Sequence, residues 1–140
     1  MSDKAAPTPE LREPIWVPRI AVGIIHARLV STFGGLQGVR DVGLVESAVD
    51  RPRNRWLYEQ GVDLADLAAS YCIGLTKNHG FIDGNKRTAF QTMFVFLDTN
   101  GLELVADETD VVALMLDVAT GEIDERVVAQ WIRQHASTRG

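Results

Sequence analysis

Cysteine is almost missing from this chain: Cys72 stands alone among 140 residues. A lone thiol cannot close an internal disulfide, which excludes a disulfide-stapled secreted scaffold and points to the cytoplasm. Basic charge is also short, with 14 Lys and Arg against 19 Asp and Glu. A nucleic-acid footprint is therefore not expected. No apolar run reaches the length of a membrane span, and no apolar signal segment opens the chain. The metal-ligating types His26, His79, His135 and Cys72 stand at no zinc-ligand spacing. There is no serine nucleophile elbow. Gly84 to Thr88 falls short of a P-loop, because Arg87 follows Lys86 and the earlier glycine is at the wrong distance.

What is present is the composition of one soluble globular domain, 46% hydrophobic and 24% charged. Residues 1–14, with Pro7, Pro9 and Pro14, read as a disordered N-terminal tail, and residues 15–140 as the domain. A helix is expected from Pro18 to Phe33, with Ile20, Ile24, Val22, Ile25 and Leu29 as its apolar face. His26 lies among them and reads as a packed or hydrogen-bonded core histidine. A glycine-punctuated loop, Gly34 to Gly43, leads to a short helix, Leu44 to Val49, expected to stop before Pro52. The stretch Arg51 to Gly61 interleaves Arg and aromatic residues; rim packing or partner contact suits it better than nucleic acid.

Asp63 caps the next helix, whose face Leu64, Leu67, Ala68, Tyr71, Cys72 and Leu75 makes the cysteine a core residue. A helix from Asn85 to Asn100 is apolar on most sides and reads as the buried axis, with Phe90 pointing into the core. An extended piece, Leu102 to Val105, precedes helices near Glu108 to Ala119 and Asp124 to His135. The class is all-α, six or seven helices around the central one.

The chemistry gathers in His79-Gly80-Phe81-Ile82-Asp83-Gly84-Asn85-Lys86-Arg87, a short polar loop feeding straight into that helix. The first N–H groups of a helix lack internal partners and lie at the positive end of its dipole. Gly84 permits a tight turn and close ligand approach. Lys86 and Arg87 add charge beside this anion site. Asp83 can hold a divalent cation against phosphate oxygens. His79 is the proton acceptor. Together these residues describe transfer of a phosphate group from a nucleotide to a hydroxyl.

The stretch resembles the Fic family, whose signature is His-x-Phe-x-Asp-Gly-Asn-x-Arg. The Asn-Lys-Arg-Thr-Ala continuation resembles its Doc (death-on-curing) branch, the toxins of toxin–antitoxin modules. Gly-Gly-Leu-x-Gly-x-x-Asp-x-Gly, from Gly34 to Gly43, is similar to a Doc segment that forms a flap over the target side of the site. The resemblance covers about Ile20 to Ile132.

It implies ATP and Mg2+ as cofactors, with Asp83 binding the metal. His79, Asp83 and Arg87 would be catalytic, and Gly84, Asn85, Lys86 and Arg87 would bind phosphate. Phe81 would anchor the loop in the core, and Gly38, Val39, Arg40 and Asp41 would form the target flap. It further implies transfer of the γ-phosphoryl to a Ser/Thr hydroxyl of a protein, elongation factor Tu in the Doc branch. Control would come from a Phd-type antitoxin, because the Ser/Thr-x-x-x-Glu-Gly/Asn helix of self-inhibiting members is missing. The Fic alternative is adenylyl transfer (AMPylation). Those members carry a second Arg where this chain has Phe90, which favours the Doc mode. Gly84 pulls the other way, since Doc has alanine there. Two further readings stay open, a catalytically silent binding module and an antitoxin-dependent co-regulator.

Overall fold

The structure, a computed structural model, describes residues 12–139. The expected tail lies outside it as far as residue 11. Pro14 is already buried, and the Ile15 main chain exchanges two hydrogen bonds with the Asn100 side chain. Trp16 stacks on Phe96, and the Val17 N–H donates to the Tyr71 hydroxyl.

Six helices are described: α1 Arg19–Phe33, α2 Val42–Tyr58, α3 Leu64–Asn78, α4 Asn85–Thr99, α5 Glu108–Thr120 and α6 Glu125–His135. Two short strands, β1 Leu102–Leu104 and β2 Ala136–Thr138, pair antiparallel with Leu102 opposite Thr138. The architecture is thus helical, as expected, with β2 the one element not anticipated. Helix α4 runs through the interior beside α3, and α3 also packs on α2, α5 and α6. The core joins Leu67, Tyr71 and Leu75 of α3 to Met93, Phe96 and Leu97 of α4, with Val118 and Ile132 behind them.

Three expectations are corrected. Helix α2 does not stop before Pro52; it continues to Tyr58 with the proline inside. A proline in a helix interior removes one backbone bond and strains the turn before it. Here Pro52 is buried, and ion pairs from Arg51 and Arg55 to Glu125 of α6 tether the second half. Arg51 and Arg55 of the basic–aromatic stretch are thus paired within the molecule, and Trp56 packs on the core. On α1, Ile20 and Ile24 face outward at 75% and 50% exposure, while Val22, His26 and Val30 face in. That helix is apolar around most of its circumference, so two i, i+4 rows competed and the periodicity could not choose between them. Phe90 points only partly into the core: it packs against it but is half-buried and also lines a cleft wall.

Cys72 is buried as expected, its Sγ 3.6 Å from Met115 Sδ. Burial, with the charge of Glu125 adding to it, pushes the thiol up to about 12. A thiol held protonated is a poor nucleophile. The folded protein is therefore expected to leave a thiol-reactive dye unreacted and to take up one equivalent in denaturant. Rapid labelling under native conditions would show that the α3–α5 contact opens.

Candidate active site

The loop between α3 and α4 is built by three sets of bonds, each from a different part of the chain. Its carboxyl end is closed by Asn85, whose side chain accepts from the Phe81 N–H and donates to the Phe81 carbonyl, both at 3.0 Å. A buried carboxamide satisfied at both ends fixes the turn into a single shape. Its floor is Phe81, buried, with the ring stacked on His26 at 3.9 Å between centroids. His26 Nε2 donates to the Asp83 carbonyl at 2.7 Å. A carbonyl oxygen only accepts, so Nε2 carries the proton. His26 is the packed histidine the sequence implied, and it also holds the main chain of the loop.

The third set comes from the glycine-rich segment between α1 and α2. Ile82 N–H donates to Gly38 C=O at 3.1 Å, and Val39 bridges antiparallel to Phe81. The N–H of Leu36 donates to Asp83 Oδ2 at 3.1 Å. A Cβ added at Gly35, which has φ +115°, would lie 3.0 Å from that same oxygen. The glycine therefore makes room for the carboxylate. Main-chain contacts of this kind leave no trace in residue type, which is why Leu36 escaped the sequence reading.

Of the four residues expected to form a flap, Gly38 and Val39 contact the loop through their main chains. Asp41 is occupied as the cap of α2, accepting from the Leu44 N–H. Arg40 turns back onto the end of α3, donating to the carbonyls of His79 and Asn78.

The start of α4 has the anion-site geometry. Gly84 sits at φ +75° and supplies no side-chain cap, and its carbonyl first receives the N–H of Thr88. The amides of Asn85, Lys86 and Arg87 thus belong to the first turn, which has no intrahelical acceptor to offer them. A Cβ at Gly84 would come within 3.2 Å of Val30 and 3.7 Å of the His26 ring, so the close packing of α1 supplies a local reason for glycine here. The Arg87 guanidinium lies 4.5 Å over the centroid of Phe33, a cation–π arrangement that holds it at the mouth.

His79, Asp83, Gly84, Asn85, Lys86 and Arg87 all line one cleft of ≈ 740 Å³. Its opposite wall is apolar, made by Leu29, Phe33, Phe90, Val111, Val112 and Leu116. Val112 and Leu116, at 52% and 50% exposure, face this space. Glu108, at the start of α5, and Gln91, one helical turn after Arg87, also reach the cleft. Among the described residues no three His, Cys, Asp or Glu side chains converge to hold a metal ion. A divalent cation at Asp83 would draw its other ligands from phosphate oxygens and water, as Mg2+ commonly does. The donor set fits a nucleotide–metal pair and would not suit a metal held by protein alone.

The family model of the Fic/DOC family matches residues 16–97, which include the glycine-rich segment, the loop and most of α4. The chain belongs to that family. Among curated proteins it is similar to "Protein kinase doc" of Escherichia phage P1, 36% identical over 110 residues that cover 79% of this chain and 86% of the relative. It is also similar to "Toxin Doc" of Mycolicibacterium smegmatis, 45% identical over 98 residues, 66% of this chain and 73% of the relative. For this Fic/DOC chain the matched span holds every residue singled out above from the sequence as catalytic or phosphate-binding. The wall formed by α5 lies beyond it.

Proposed function

We propose that this chain is the toxin of a toxin–antitoxin module and acts as a Doc-type protein kinase. It is a nucleotide-dependent transferase that moves the γ-phosphoryl of ATP to a Ser or Thr hydroxyl of a protein. The observation that carries the reading is the convergence of His79, Asp83 and the amide-rich start of α4 in one cleft with Lys86 and Arg87. The names of the two relatives support it.

In the reaction, His79 accepts the proton of the target hydroxyl as its oxygen bonds to the γ-phosphorus. The bond from that phosphorus to the β–γ bridging oxygen breaks, and ADP leaves. The first-turn amides of α4 and the Lys86 and Arg87 side chains face the charge that grows on the phosphoryl oxygens. Mg2+ held by Asp83 supplies additional neutralisation of the phosphates when bound. By family resemblance the target is a translation factor such as elongation factor Tu, in the cytoplasm. No described helix is long and apolar enough to cross a membrane. The partner is an antitoxin of Phd type, suited to the apolar wall of the cleft.

The γ-mode is favoured over adenylyl transfer by Phe90. Where adenylyl-transferring members carry a second Arg, this chain presents an aromatic ring to the cleft, so no guanidinium from that position can clamp the far end of a reversed nucleotide. Gly84 does not argue the opposite, since the nearness of Val30 and His26 gives it a packing reason. The test is incubation of enzyme and translation-factor mixture with ATP labelled at the α or the γ position. Label is expected to enter the target from γ alone. Entry from α, with the mass gain of an adenylyl group, overturns the proposal.

A further inference from the structure

Three consecutive carbonyls follow the last turns of α3, and one residue of the flap receives all of them. The Arg40 Nε donates to the carbonyl of His79 at 2.8 Å, and its terminal nitrogen donates to that of Asn78 at 3.2 Å. Its own main-chain N–H donates to the Gly80 carbonyl at 2.8 Å, joined there by the N–H of Asp41 at 3.0 Å. The Asn78 side chain adds a bond to the Leu44 carbonyl at 3.0 Å. Carbonyls at a helix C-terminus carry partial negative charge and no intrahelical donor, so a guanidinium there is favourable twice over.

The need for such a clamp is visible in the backbone. His79 has φ 50° and ψ 45°, and it is the only non-glycine residue at positive φ among those described. A side chain in the left-handed region is strained and persists only where its surroundings enforce it. Gly80 lies directly against the start of α2, where an added Cβ would come within 2.9 Å of the Val45 nitrogen. Segment 78–80 is thus pressed against the start of α2 and held by Arg40 on its exposed side.

We propose that Arg40 is a positioning residue for His79: its guanidinium locks the left-handed backbone that aims the imidazole into the cleft. The inference rests on His79 being the base and goes beyond that reading, because it assigns Arg40 inward rather than to the docked target. Orientation errors of about 1 Å at a reacting group cost on the order of 100-fold.

The experiment compares Arg40→Ala and Arg40→Lys with the parent in ATP-dependent transfer and by the 13Cα and 13Cβ chemical shifts of residue 79. With alanine, kcat is expected to fall roughly 10- to 100-fold at unchanged KM for the target, with partial rescue by added methylguanidinium. The shifts of His79 are expected to leave the left-handed range, and lysine, reaching one carbonyl, to fall between. Unaltered kcat and shifts overturn the proposal. So does a raised target KM at parental kcat, which would make Arg40 a target contact. If the alanine variant fails to fold, the lysine variant is read by the same two measures. A parent with no transfer activity would strike the assignment of His79 as base, while the shifts would still decide the clamp.

Discussion

Replacing His79 with alanine is expected to lower phosphoryl transfer by roughly 10²–10⁴-fold and to leave the protein folded. The size of the effect follows from chemistry: among the described residues, His79 is the only imidazole lining the cleft. The other histidine near the loop, His26, is buried and has Nε2 engaged with the Asp83 carbonyl. It cannot take over. The small effect on folding follows from exposure. The His79 side chain is exposed, and the bonds that secure position 79 run through its main-chain carbonyl to Arg40. Alanine keeps that carbonyl and meets the left-handed backbone with the same Cβ. Growth arrest on expression should vanish with the activity. A folded alanine variant as active and as toxic as the parent would remove His79 from the mechanism.

The opposite pattern is expected at Phe81. Phe81→Ala should destabilise the domain by about 3–5 kcal/mol, the range for truncating a buried phenylalanine. The ring is 3% exposed and covers the face of His26. Its removal leaves a void between α1 and the α3–α4 loop, and water entering there competes for the His26–Asp83 bond. For a domain of this size the loss corresponds to a fall in Tm of about 10–20 °C. Phe81→Leu, which fills much of the volume without the stacking, should lie between. A melt of the alanine variant within about 3 °C of the parent would show that the loop is not anchored through this ring.

The motif was legible because its residue types carry their chemistry with them. An imidazole, a carboxylate and two cations beside a glycine and a helix start state an anion site whatever the surroundings, and the structure places all of them on one cleft. Asp63 was readable as a cap for the same reason, since the capping box with Asp66 is a local matter of three residues. Helix α2 was misread past Val49 because the cost of Pro52 is local while its compensation is not. Glu125 lies 70 residues from Arg55, and their pairing cannot be seen in a sequence window.

The sequence by itself therefore determined the helical class and the loop in which the motif residues gather, since periodicity, capping and ionisable groups act over a few residues. Tertiary structure alone decided which face of α1 turned inward, because Ile20 and Ile24 had as good a claim as Val22 and Val30 until α4 packed against one row. It also decided that His26 would hold the loop, that Leu36 would hold the Asp83 carboxylate, and that Arg40 would close over the carbonyls beside His79. Each of those bonds ends on a main-chain atom. Every residue type carries the same N–H and C=O groups apart from proline, so only the path of the folded chain can say which of them meet.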